Sequence, residues 1–321
     1  MLVVACVGAR LIAAGRRLTA CGERARRGGT EPVSCRMRGW RHATFAFFSR
    51  AARALDLAAR ALMYLAAGAL DRRALRETIT RNWDEFSRTE AAILSGLMAW
   101  EQAWYERMLK PADQILLVGC GTGRDLLALT KQGFRVTGLD PSARALDLAR
   151  GALERERLSA ALYTGSIEHF APPGGFDVVI FSWFCYGYIP ETTARVNALH
   201  NVKARLKPGG RILVSYIPAD PAPRPLAIKL TRLTARLTRS DWQPAVGDVI
   251  GPMTADPGSI RYEHQFTDGE LEKEARVAGL TIVVHERSDV GKAVLMMERG
   301  GDVAAGDDPD RAAGAQTVTD R

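Results

Sequence analysis

The stretch Ile115-Leu-Leu-Val-Gly119-Cys-Gly121-Thr-Gly123-Arg-Asp-Leu constrains this chain more than any other part of it. Four apolar residues in a row read as a strand buried on both faces, and a helical pattern begins at Arg124. Between them stand three glycines in Gly-x-Gly-x-Gly spacing. A backbone that passes close beneath a ligand leaves no room for a Cβ, and the helix that follows offers free N–H groups and a positive dipole end. Twenty-one residues after Gly119, Asp140 closes a second strand, Val136-Thr-Gly-Leu-Asp140. A carboxylate at that strand tip is placed to accept both hydroxyls of an adenosine ribose, in the crevice where open α/β sheets bind ligands. A dinucleotide turn needs Gly-x-Gly-x-x-Gly, whose third glycine would fall at 124. This chain has Arg124 there and its glycine at Gly123, a spacing that suits a nucleoside carrying an amino acid better than a diphosphate.

From 111 to 299 the pattern alternates. Ile115–Val118, Arg135–Leu139, Ala161–Tyr163, Asp177–Ser182 and Arg211–Ile217 read as strands, with helices over Arg124–Lys131, Ser142–Glu154 and Glu191–Leu206. This implies βαβ units and a parallel sheet covered on both faces. Thr281–His285 and Ala293–Met297, with only seven residues between them, suit an antiparallel pair. A basic helix is expected near Pro225–Arg239, a Gly/Pro-rich loop over Val246–Ser259, and a capping box at Thr267 and Glu270. Residues 44–110 form a helical extension. Within it, a helix over 44–70 has Phe48, Leu55 and Leu62 on one side and Arg50, Arg53 and Arg60 on the other, and a second helical region runs from Asp84 to Leu109. Residues 1–43 read as a disordered tail, a targeting segment or the product of a start set too early, with Met37 the true one. Residues 300–321 read as a disordered tail.

Residues 84–300 resemble a class I S-adenosylmethionine-dependent methyltransferase. The glycine turn resembles that family's first motif, and Asp140 in Gly-Leu-Asp140-Pro-Ser matches its ribose-binding acid. Gly165-Ser166-Ile167-Glu168 stands where the family often has Gly-Asp, so that Ser166 is a departure. Phe176-Asp-Val-Val-Ile-Phe181-Ser182 resembles the fourth strand, and Leu206-Lys-Pro-Gly-Gly210 the turn into the fifth. The resemblance implies an α/β fold with one doubly wound, mostly parallel seven-stranded sheet in the order 3-2-1-4-5-7-6, strand seven antiparallel. It implies S-adenosylmethionine as cofactor, held by Gly119, Gly121, Gly123, Asp140, Ser166, Ile167 and Phe181.

The acceptor side is less constrained. Trp183, Phe184, Cys185, Tyr186 and Tyr188 follow the fourth strand and suit an apolar or planar acceptor, with Trp183, Tyr188 and Tyr262 the expected substrate contacts. Tyr186 and His264, the latter in Arg261-Tyr-Glu-His264-Gln-Phe266, are the candidate catalytic groups. No Asn/Asp-Pro-Pro-Tyr and no Pro-Cys pair occurs, which argues against exocyclic-amine DNA or protein glutamine methylation and against cytosine C5 chemistry. The expected function is methyl transfer to a small-molecule acceptor, apolar or lipid-like. The alternative is a non-catalytic S-adenosylmethionine-binding scaffold tethered by basic amphipathic helices.

Charge narrows the partners. The net charge of +8 is carried by residues 1–50, with ten arginines and two acids, while the remainder balances at 34 basic and 34 acidic side chains. A neutral body argues against a nucleic-acid partner. Five cysteines, an odd count without a CxxC pair or nearby histidine cluster, predict neither a disulfide framework nor a metal site, and fit a reducing cytoplasm. The two basic helices are expected to pack on the domain with solvated arginines, in preference to peripheral membrane contact. The sequence leaves the oligomeric state open.

Overall fold

The computed structural model describes residues 33–87, 96–170, 172–219, 225–251, 256, 258–288 and 291–298. The expectations for 1–32 and 300–321 lie outside these residues. The chain divides into two compact units, 1–59 and 60–321. Helix α1 (Val33–Gly68) starts ahead of the expected boundary at 43/44, with Met37 already inside it.

The larger unit is built on β1 (Gln114–Val118), β2 (Arg135–Asp140), β3 (Ala161–Thr164), β4 (Phe176–Phe181), β5 (Leu206–Tyr216), β8 (Leu280–Arg287) and β9 (Lys292–Glu298). Their order is β3-β2-β1-β4-β5-β9-β8. The pairs from β3 to β5 are parallel, and β9 is antiparallel to both its neighbours. Two further strands, β6 (Asp248–Gly251) and β7 (Arg261–His264), form a separate antiparallel pair among the described residues. Counted without them, the order is the expected 3-2-1-4-5-7-6. The expected Gly/Pro-rich loop over Val246–Ser259 therefore contains a strand. Its pattern is masked because Asp248, a poor strand former, is held by side-chain bonds and not by propensity.

Alternation along β1 explains the layering. Leu116 and Val118 enter one buried cluster while Ile115 and Leu117 enter the other. On the second face pack α3 (Ala99–Met108), α4 (Arg124–Lys131) and α5 (Ala143–Arg155), through residues such as Trp104, Leu126 and Leu146. On the first lie α6 (Thr192–Lys203) and α8 (Glu270–Val277), through Leu199, Val202 and Leu271. Helix α5 begins where Ser142 caps it, its side chain accepting from Ala145 N. Only half of the expected Thr267 box forms: Glu270 accepts from Thr267 N at 3.0 Å, but Gly269, in a left-handed conformation, is the N-cap.

The helical extension departs most from expectation. Among the described residues, the region expected as one helix from Asp84 to Leu109 holds the end of α2 (Arg72–Phe86) and α3. Asp71 caps α2 by accepting from Ala74 N at 2.7 Å. Leu75 and Ile79 of α2 join Tyr64, Ile228, Trp242, Ile250, Ile260 and Tyr262 in a third apolar cluster. That cluster gathers the end of α1, α2, α7 (Pro225–Thr238) and the β6–β7 pair.

A buried ion pair ties α6 to α8. Arg195 is fully buried and meets Glu274 Oε1 at 2.6 Å, and Tyr186 donates to Glu274 Oε2 at 2.8 Å. Burial opposes the charge, but Glu274 more than compensates and keeps the guanidinium cationic. Replacing Arg195 with Ala leaves Glu274 buried without its cation. We expect a loss of about 3–5 kcal/mol of unfolding free energy in urea titration.

Candidate functional site

At the carboxyl ends of β1, β2 and β4 lies a cavity of about 580 Å³. Its floor is the glycine turn. Gly119 N donates to Leu139 O at 2.8 Å, which folds the turn back over β2. Gly119 and Gly121 adopt φ of +71° and +52°, which side chains disfavour. A Cβ on Gly119 would lie 2.7 Å from Cys185 Sγ, whereas one on Gly121 would meet nothing within 4 Å. Gly119 is thus required by the protein's own packing. The space above Gly121 is open.

Asp140 is the central side chain of the site. Its Oδ2 accepts from Gly121 N at 2.8 Å and its Oδ1 from Ser142 N at 2.9 Å. The carboxyl is 7% exposed yet lines the cavity. Burial pushes its pKa up to about 6, against the pull of the two N–H donors. A carboxylate so poorly hydrated, with one edge toward a cavity, favours a ligand that brings hydroxyl donors to it. Beside it, Ser166, Ile167 and Glu168 line the wall, Ser166 Oγ donating to Glu168.

The opposite wall follows β4. Trp183 and Phe184 both have positive φ, +41° and +60°. Two bulky residues held there in succession mark a strained turn of the kind that clusters at functional sites. Trp183 lines the cavity, while Phe184 is buried beside it, with ring centroids 5.6 Å apart, and its backbone N–H donates to Ser215 Oγ at 3.0 Å. Arg124 lies 4.5 Å over the Trp183 ring and makes a two-point ion pair with Glu101, at 2.7 and 2.5 Å. It also meets Asp125 Oδ1 at 2.6 Å, while Asp125 Oδ2 accepts from Ser182 at 2.7 Å. The residue that departs from a dinucleotide turn is thus committed to a buried charge network.

Helix α2 forms the roof. Arg76, Ile79, Thr80, Trp83, Phe86 and Ser87 all line the cavity, at helical spacing on one face. Trp83 packs against Tyr188 with ring centroids 4.7 Å apart. Arg72 at the start of α2 pairs with Glu191 at 2.7 Å, and Asp84 near its end accepts from Ser142. The helix therefore crosses from the segment after β4 to the corner beside Asp140. This roof is absent from the sequence reading, although Asp71 as N-cap and the spacing of Leu75, Ile79 and Trp83 were visible signals.

Of the expected site residues, Gly119, Gly121, Asp140, Ser166, Ile167, Trp183 and Tyr188 meet around the cavity. Five others do not line it. Gly123 serves packing, since its Cβ would lie 3.0 Å from the Ala149 Cβ of α5. Phe181 is a buried core residue at 1% exposure. Tyr186 is fully buried, stacked on Phe266 and bonded to Glu274. His264 has both ring nitrogens taken by carboxylates, Asp248 at 2.7 Å and Glu270 at 2.8 Å. Tyr262 donates to the same Asp248 oxygen at 2.7 Å. His264 and Tyr262 thus hold the β6–β7 pair together instead of facing a substrate. Alternation along β7 and a turn of 3₁₀ helix at Cys185–Tyr188 decide which side chains reach the cavity.

The comparisons with known proteins agree with this geometry. A family model described as a methyltransferase domain matches residues 115–210, from β1 through the turn that opens β5. Over these residues, about a third of the chain, the sequence is similar to methyltransferase domains. Among curated relatives, a cypemycin N-terminal methyltransferase from a Streptomyces species is 31% identical over 132 residues, 40% of this chain and 49% of that protein. A ribosomal protein L11 methyltransferase from Burkholderia mallei is 32% identical over 120 residues, 37% of each chain. The chain thus spans less than half the length of either relative. Among solved structures, a methyltransferase from Methanosarcina mazei aligns with 64% of this chain and 99% of its own, at 20% identity and a TM-score of 0.48.

The raised Asp140 pKa gives this site a pH signature. The carboxylate accepts hydrogen bonds from ribose hydroxyls at both oxygens and more strongly than the neutral acid, so S-adenosylhomocysteine should bind with constant affinity above about pH 7. The affinity should weaken as pH falls through about 6, approaching tenfold per unit. The ligand-free protein responds oppositely: because the folded pKa is raised, this group's contribution to stability is present at low pH and is lost as pH rises through about 6. Calorimetric titration from pH 5 to 8 checks the first statement and thermal unfolding the second.

Proposed function

We propose that the chain transfers a methyl group from S-adenosylmethionine to a small acceptor with an apolar or planar body and an anionic group. The observation that carries the reading is the buried, cavity-facing carboxylate of Asp140 beside the open backbone of Gly121. These residues suit the adenosyl group: Asp140 for the ribose hydroxyls, Ser166 and Ile167 for the adenine edge, and Gly121 for close passage. When bound, S-adenosylmethionine supplies a methyl already activated by its sulfonium.

The remaining residues position and exclude water. Trp83, Phe86, Trp183, Tyr188, Ile189 and Pro190 make the cavity's acceptor end apolar. Among the described residues no strong base stands there. Burial pushes the Cys185 thiol and the Tyr188 phenol upward, and Asp125 is paired with Arg124. Rate enhancement is then assigned to proximity, orientation and desolvation, which together supply several kcal/mol without proton transfer. The relatives' names specify a peptide N-terminus and a ribosomal protein as acceptors, and those assignments belong to them. A roofed cavity favours a compact acceptor over a folded protein.

Arg76 supports the anionic group. It is half-buried on the cavity face of α2 and has no ion-pair partner among the described residues. Its neighbours on the helix carry Arg72, paired with Glu191, toward the segment after β4. A guanidinium held next to an aromatic wall suits a carboxylate or phosphate.

Incubating the protein with deuterium-labelled S-adenosylmethionine and cell extract, followed by untargeted mass spectrometry, tests the transfer. A labelled low-mass anionic product supports the proposal. Tight donor binding with no labelled product supports the scaffold reading instead. Asp140→Ala should weaken S-adenosylhomocysteine binding by about 2–3 kcal/mol, and unchanged affinity in calorimetry counts against the site. Arg76→Ala should raise the acceptor KM by roughly tenfold or more while S-adenosylhomocysteine affinity stays within about twofold. A drop in S-adenosylhomocysteine affinity with the acceptor KM unchanged would place the anion on the donor.

A further inference from the structure

Helix α7 is oriented unlike a helix that merely packs on a domain. An amphipathic helix ordinarily turns its leucines inward. Here the buried side carries Ile228, Thr231 and Ala235, at 4%, 0% and 2% exposure. Leu226, Leu233 and Leu237, on the opposite side, are 70%, 52% and 76% exposed. The ridge is flanked by Lys229, Arg232 and Arg236, all exposed, and Pro225–Arg239 contains no acidic residue. The sequence expectation that the leucines pack and the arginines are solvated is reversed for the leucines.

Helix α1, taken by itself, shows the same chemistry. Trp40, Phe47, Phe48, Leu55 and Leu62 fall within one broad helical face and are 64–71% exposed, while Phe45 and Leu57, each 70% exposed, lie off it. Residues 40–62 carry four arginines against one acid. Two separate helices therefore combine outward-facing large apolar side chains with a cationic flank. Neither is long and apolar enough to cross a membrane.

We propose that α7 and α1 dock the protein on the surface of an anionic lipid bilayer. The leucine ridge and the aromatic face enter the boundary between headgroups and acyl chains, and the cationic flanks meet the lipid phosphates. The charge decides for lipid over a second copy of the chain: two like-charged α7 surfaces would repel, whereas an anionic interface complements both helices. This proposal stands independently of methyl transfer, because neither helix contributes a lining residue to the cavity described above.

The test is co-sedimentation of the full chain with vesicles of phosphatidylcholine, with and without phosphatidylglycerol. The expected result is partition into the phosphatidylglycerol vesicles, weakened by added salt and small for pure phosphatidylcholine. The double variant L233E/L237E should lower the partition coefficient by about tenfold or more. Its fold is checked by an unchanged S-adenosylhomocysteine affinity. Should that variant not fold, K229Q/R236Q replaces only exposed charges and should reduce binding by about thirtyfold, on the basis of roughly 1 kcal/mol for each of the two cations near an anionic surface. No partition of the wild type, or partition that neither variant changes, overturns the proposal. A concentration-dependent dimer in light scattering that L233E/L237E abolishes, without vesicle binding, overturns it in favour of self-association.

Discussion

The structure turns on one buried carboxylate. Asp140 ends β2 and receives the backbone N–H groups of Gly121 and Ser142, so that the glycine turn and the start of α5 close around it. Ionising it in that place is unfavourable, as its raised pKa records. The two N–H donors offset part of the cost, and a ligand with hydroxyl donors would offset more. The sheet, with both faces buried, fixes the strand tip. The turn and the helix start fix the carboxylate. The cavity then follows from the crevice between β1, β2 and β4, closed by α2.

The charge networks around this centre divide the labour. On the turn's outer side, Glu101, Arg124, Asp125 and Ser182 join α3, α4 and the end of β4. Beneath the opposite layer, Arg195 and Glu274 join α6 to α8. In the cap, Asp248 gathers Tyr262 and His264, and His264 reaches Glu270 at the start of α8. Glu270 is held down to about 2 by His264 and by the Thr267 donors, against the effect of burial. Polar groups that are fully partnered in this way specify an arrangement. They are poor candidates for chemistry on a bound molecule, because their donors and acceptors are already spent.

That distinction explains what was legible in the sequence. The parallel sheet and the glycine turn were readable because each rests on local pattern: apolar runs, glycine spacing, and an acid at a fixed distance; the strand order was implied only by the family resemblance. Asp140, Gly121, Ser166 and Trp183, which line the cavity, stand in or beside such patterns. His264, Tyr186 and Tyr262 lie away from the cavity lining, and the sequence pattern does not show that Asp248, Glu270 and Glu274 occupy those side chains. Gly123 shares the motif's spacing but answers to Ala149 on a neighbouring helix. The roof helix α2 was overlooked because its cavity face mixes Arg76 and Thr80 with Ile79 and Trp83, which blurs the apolar stripe.

A crystal structure with S-adenosylhomocysteine bound tests the central claim most directly. The account predicts both ribose hydroxyls within hydrogen-bond distance of the Asp140 carboxylate, with the ligand lying over the backbone of Gly121. A ligand bound elsewhere, or one whose ribose leaves Asp140 with only its two backbone N–H donors, would contradict it.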